Sequence, residues 1–178
     1  MNRTIFILFI FIAALVHACG KKEQSNSGTV TINNDLTQPN PNGPYYGMGL
    51  NIVTGKTVTF ANTPYDVLTV DASVTNGVVD KLYLMTNSMD NSFAMYGEYP
   101  DKASALSAFN SLRAFNEPAW VGIADSIAAN QIWLFRTTGS NYAKILIIST
   151  TSSAGDVKPH AACTLTWVYQ PDGTKLFP

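Results

Sequence analysis

The sequence predicts a mostly β fold: an antiparallel sheet or sandwich with one packed helix at about residues 101–115. Three observations carry that prediction. Apolar and polar residues alternate with period two through most of the chain after residue 55, the pattern of strands with one buried face. An Asn76-Gly77 pair separates two such runs, which is a strong hairpin signal. The period changes only once, to three and four, between residues 101 and 115.

The elements follow in order. Residues 56–60, 65–74 and 78–85 alternate and read as strands, the last two joined by Thr75-Asn76-Gly77. Residues 92–99 form a further strand, closed by Pro100. Ala105, Leu106, Phe109, Leu112 and Phe115 then recur every third or fourth residue, with Asp101 placed to cap the first turn and Pro118 to forbid continuation. A short strand is expected at 120–124. A long hairpin follows, 131–138 and 142–151, around Gly139-Ser140-Asn141. After a polar loop at 152–159, residues 161–170 make the last strand, ended by Pro171-Asp172-Gly173.

The N-terminus has a different character. Arg3 precedes an uncharged apolar run, residues 5–16, and the small residue Ala18 stands before Cys19. That is the layout of a secretory signal peptide, and a cysteine just after the cleavage point resembles the bacterial lipobox. The resemblance implies removal of residues 1–18 and acylation of Cys19, with localisation at the bacterial outer membrane on its periplasmic or cell-surface face. The apolar run spans roughly 20 Å as a helix, short of the roughly 30 Å hydrocarbon core, so an uncut transmembrane anchor fits poorly. Residues 19–44 are then expected to be a lipidated cysteine and flexible polar spacer, ending in Gln38-Pro39-Asn40-Pro41-Asn42-Gly43-Pro44. Within it, residues 29–33 alternate and offer a short edge strand as the lesser alternative. Residues 45–178 are expected to form the single β-rich domain.

Charge and cysteine content narrow the chemistry. Eleven basic and 12 acidic residues nearly balance, and the basic ones form no stripe, which argues against nucleic-acid binding. With Cys19 acylated, Cys163 has no disulfide partner and reads as a small buried hydrophobe. One histidine after the signal segment, His160, and three glutamates stock neither a zinc site nor a hydrolase. A non-enzymatic protein without a required cofactor is expected.

Three segments of the final third carry a family resemblance: Ile132-Trp133-Leu134-Phe135-Arg136-Thr137-Thr138, Asn141-Tyr142-Ala143-Lys144-Ile145-Leu146-Ile147, and Leu165-Thr166-Trp167-Val168-Tyr169-Gln170-Pro171-Asp172-Gly173. Over residues 131–173 the chain resembles the HmuY-like family, lipid-anchored haem-binding proteins of Bacteroidetes-type bacteria. The resemblance implies haem as ligand, held between two axial side chains, and an outer-membrane transporter as partner. A bis-histidine site within one molecule is impossible here. His160 with a methionine, or two methionines, remain, from Met48, Met85, Met89 and Met95. Met89, in the polar turn 87–92, and His160 are the candidate ligands. Met85 and Met95 fall in strands and read as core.

The strands themselves place Tyr142, Lys144 and Leu146 on one face and Ala143, Ile145 and Ile147 on the other. Lys144 is expected to snorkel at the rim, beside Arg136 or Thr137 according to register. A different reading is a glycan- or protein-binding adhesion lipoprotein without a small ligand, using an aromatic surface of Trp120, Trp133 and Tyr96.

Overall fold

The computed structural model describes residues 26–35, 47–59, 65–87, 91–156 and 158–178. Among them, nine strands form one antiparallel sheet: β1 (Ser27–Asn33), β2 (Met48–Asn51), β3 (Lys56–Thr59), β4 (Val67–Thr75), β5 (Val78–Thr86), β6 (Phe93–Glu98), β7 (Gln131–Arg136), β8 (Tyr142–Ser153) and β9 (His160–Gln170). Eight lie in the order β5-β4-β2-β1-β9-β8-β7-β6, and β3 pairs with β2 off that path. One helix, α1 (Lys102–Ser111), packs on the sheet. The mostly β fold with one helix is thus the one the alternation predicts.

The β4–β5 hairpin turns where Asn76-Gly77 said it would. Asn76 (φ 54°) and Gly77 (φ 77°) both occupy the left-handed region, which suits the twist of a two-residue hairpin. Residues 120–124 do not form a strand. They make two isolated antiparallel bridges instead, Val121 to Phe93 on β6 and Ala124 to Leu84 on β5. A single connector thereby satisfies backbone groups on both edge strands and draws the curled sheet toward closure.

Curling gives the sheet an inside. Ile32, Leu50, Leu68, Val70, Leu84, Phe93, Trp133, Phe135, Ile145, Leu165 and Trp167 fill it. The opposite face of β6–β8 carries Ala94, Ile132, Leu134, Tyr142 and Leu146, covered by Ala105, Phe109 and Leu112 from the helix region and by Phe177 from the C-terminal tail. The face assignment read from period two in β8 therefore holds. β9 shows it most plainly, burying every second residue from Ala161 to Tyr169.

The first correction concerns the spacer. Residues 27–33, expected to be flexible, form β1 inside the sheet, paired with β9 from Ser27↔Val168 to Asn33↔Ala162. Ile32 is fully buried, and the outward hydroxyls of Thr29 and Thr31 meet those of Thr166 and Thr164, each at 2.8 Å. β1 is poor in apolar residues because only one of its faces meets the core; neighbouring strands supply the rest. The ordered domain therefore begins before the expected boundary at Tyr45. β2, also unforeseen, contains Gly49, where a Cβ would come within 2.6 Å of Val67 Cγ1.

The second correction concerns Lys144 and the helix end. Asp101 caps the N-terminus, accepting from the Ser104 amide (2.8 Å) and hydroxyl (2.9 Å). The helix, however, stops at Ser111, well before Pro118. Lys144 is buried, not at the rim, and its Nζ donates to the carbonyls of Phe109 (2.8 Å) and Leu112 (2.9 Å). Its ammonium also lies 4.8 Å from the Phe109 ring centre and 5.4 Å from that of Phe177. The β8 strand thus caps the helix C-terminus with a cation, satisfying carbonyls that have no partner within the helix. Burial, with the nearby Arg113 charge adding, holds this amine below the ordinary lysine range.

Candidate functional site

β1 and β4 do not pair with each other; each pairs with β2, at Met48 and at Leu50–Asn51 respectively. A cleft of about 340 Å³ opens where they part, lined by Asn33, Asn34, Gly47, Thr69, Val70, Asp71, Met85 and Lys158. Thr69 and Met85 stand opposite each other in the β4–β5 ladder, so their side chains share a face. At Gly47 a Cβ would sit 2.6 Å from the Asn33 carbonyl oxygen, so only glycine lets the chain pass this close.

Asn34 organises the cleft. It is 5% exposed. Its backbone N–H donates to the Ala161 carbonyl (3.0 Å), and its Oδ1 accepts from the Ala161 N–H (2.8 Å). Its Nδ2 donates to Asp71 Oδ1 (2.6 Å) and to the Pro159 carbonyl (2.8 Å). One amide therefore fastens the ends of β1 and β9 to β4. Lys158 brings its ammonium to 4.0 Å from Asp71 Oδ1. The result is an apolar floor with an amide, a carboxylate and an ammonium at its edge, a combination that suits a flat or amphipathic small molecule.

His160 opens β9 beside this cleft, one residue from Ala161, with its Nδ1 2.5 Å from Asp35 Oδ1. A carboxylate on one ring nitrogen fixes the imidazole and leaves the other to face a ligand. Of the expected ligands, the structure describes His160, which is not in the lining of this cleft but stands two residues after Lys158, which is. Met89 and Cys19 lie outside the described residues. Asn91, the described residue two positions after Met89, lies far from His160. Asn91 accepts from Arg136 (2.8 Å) and Asn87 from the Val67 amide (3.2 Å), and Arg136 pairs with Tyr142, which pairs with Gln170. β9 runs 11 residues between that end and His160, about 30 Å at the usual strand rise. Met85, which the sequence reading assigned to core, is only half-buried and lines the cleft.

The expected aromatic surface does not assemble. Trp133 is inside the sheet, its indole N–H donating to Gln131 Oε1 at 3.1 Å. Trp120 is half-buried on the helix side, stacked on Tyr142 and bonded to Glu117. Tyr96 is exposed, at the irregularity in β6. These three residues occupy three different surroundings because strand alternation and the helix layer sort them separately. Cys163 is fully buried, and burial pushes its thiol up to about 12, which leaves it protonated and unreactive at neutral pH. Among the described residues no helix is long and apolar enough to cross a membrane, and no three His, Cys, Asp or Glu side chains gather as metal ligands.

Comparison of the chain with protein-family models, with curated proteins and with solved structures finds no match in any of the three.

Proposed function

We propose that this chain is a non-enzymatic, lipid-anchored binding protein of the bacterial envelope that captures haem or a similar flat, amphipathic ligand in the Asn34 cleft. The observation that carries the reading is the mixed apolar and polar cleft that Met85 lines, with His160 two residues after its Lys158 and bonded to Asp35, the neighbour of its Asn34. An imidazole and a thioether are a sound axial pair for haem iron, and Lys158 supplies a cation for an acidic substituent at the edge. The lipobox-like Cys19 and the HmuY-like pattern at residues 131–173 support the same reading. An outer-membrane transporter would then be the recipient of the ligand.

Haem titration of the purified full-length chain in detergent tests this. The expected result is a saturable Soret shift in both oxidation states, changed in position by His160→Ala and by Met85→Ala. Absence of any shift would sink the haem reading. A shift that neither substitution alters, but Met89→Ala does, would move the iron ligand from His160 and Met85 to Met89. Binding of glycans instead, lost on substitution of Trp120, would favour the adhesion reading.

A further inference from the structure

A second cleft, of about 350 Å³, lies at the end of the sheet away from His160 and is lined by Asn91, Ser92, Arg136, Thr137, Thr138 and Ser140. Every one of these side chains is polar, in contrast to the mixed lining at Asn34.

Arg136 is the cationic member. It is half-buried, and its guanidinium carbon lies 4.8 Å from the centre of the Trp120 ring. One terminal nitrogen donates to the Asn91 carbonyl at 2.8 Å. A guanidinium has five N–H donors, and among the described residues no carboxylate pairs with this one. Glu117, close enough for Arg136 to help hold its carboxyl below the usual range, is already bonded by Lys175 and Trp120. The guanidinium is therefore fixed in place by an aromatic ring and a carbonyl, with no carboxylate bonded to it among the described residues.

Ser92 supplies an independent pointer. It is 2% exposed, yet its hydroxyl has no hydrogen-bond partner among the described residues. No fully covered polar side-chain atom lacks a partner, so the Ser92 oxygen must be reached from the cleft that it lines. A buried hydroxyl open only to a cleft beside a fixed, unpaired guanidinium is a donor set for an oxyanion. Two neighbouring hydroxyls are already engaged: Thr137 Oγ1 with Asn141, and Thr138 Oγ1 with Asp66. Asp66 stands behind Thr138 as a buried carboxylate, which disfavours a doubly charged guest and selects a monoanion.

We infer that this polar cleft is a binding site for the carboxylate of a small organic acid, held by Arg136 and Ser92. The planar fork of the guanidinium matches a carboxylate's two oxygens. The inference is independent of the Asn34 cleft and of haem.

Nitrogen-15 NMR of the arginine side chains tests it on the full-length chain in zwitterionic detergent, since the sequence holds only Arg3, Arg113 and Arg136. Sodium acetate and sodium glucuronate are titrated at constant ionic strength against sodium chloride, with phosphate as a further arm. The expected result is a saturable shift of the Arg136 Nε–H resonance alone, with carboxylate and not with chloride. Ser92→Ala should weaken it about tenfold, the size of one hydrogen bond to a charged group, while the other two arginine resonances stay in place. In Arg136→Lys, which removes the reporting resonance, the saturable carboxylate shift of the Ser92 backbone amide seen in the unsubstituted chain should be lost. A linear response equal to that of chloride, or an affinity unchanged in Ser92→Ala, would overturn the site. Tighter binding of phosphate than of either carboxylate would overturn the assignment of ligand class.

Discussion

The two ends of the sheet are each tied by one buried polar side chain, and the two ties differ in kind. At the His160 end, neutral Asn34 serves as donor and acceptor at once, joining β1, β4 and β9 through Asp71, Pro159 and Ala161. At the Arg136 end, Asp66 is acceptor only, taking the Thr138 amide (2.8 Å) and hydroxyl (2.9 Å) from the β7–β8 turn. A neutral tie leaves the adjoining cleft free to be amphipathic. A charged tie makes its neighbourhood polar. The chemistry of each cleft thus follows from the residue that closes the sheet beside it.

The largest effect is expected from Asn34→Ala. It removes both side-chain donors and the acceptor for the Ala161 amide in a buried place, and each unsatisfied group costs about 1–3 kcal/mol. A loss of about 3 kcal/mol is expected, read as a lower urea midpoint at unchanged slope. Haem affinity, if the proposed function holds, falls with it. A loss under about 1 kcal/mol would mean that β1 and β9 are held by their ladder alone, and the comparison of ties would fail at this end.

Asp66→Ala should cost less, about 2 kcal/mol, because Thr138 is exposed and its freed groups can turn to water. Asp66 also sits at φ 67°, where Asn is tolerated better than Ala. Asp66→Asn should therefore recover more than half of the loss. It also has a spectroscopic signature. The Tyr169 phenol is held above the ordinary tyrosine range chiefly by burial, against the Asn141 hydrogen bond, with the Asp66 charge adding to the rise. Removing that charge should lower the Tyr169 midpoint in an ultraviolet pH titration. An unmoved midpoint would show that Asp66 acts here through hydrogen bonds and not through its field.

How much of this was legible beforehand depends on whether the signal is local. Alternation in β8 and β9 fixed which residues face the core, and Asn76-Gly77 fixed a turn, because both depend on neighbours a few positions apart. β1 escaped because its burial is set by β9, over 130 residues away, and its own sequence is mostly Ser, Thr, Gly and Asn. Lys144 escaped for the same reason: a lysine in a strand says nothing of a helix end lying above it. Of the candidate sites, His160 was visible as the sole histidine after the signal segment, while Asn34, Met85 and Ser92 became visible only when the chain ends of four strands met. Trp133, a candidate for the aromatic surface only in the alternative reading, lies in the core, because strand alternation gives a face without saying which face is inside.

The smallest effect is expected from His160→Ala, and its smallness is what makes it useful. The His160 and Asp35 side chains are 37% and 55% exposed, and exposed ion pairs contribute at most about 1 kcal/mol. The substitution should leave the urea midpoint nearly unchanged, unlike Asn34→Ala at the same end. Any change in the Soret band of His160→Ala would then report on the ligand and not on folding. A large loss of stability would instead make His160 part of the tie that closes this end, and the difference between the two ends would shift from one neutral amide to a hydrogen-bonded His160–Asp35 pair working beside it.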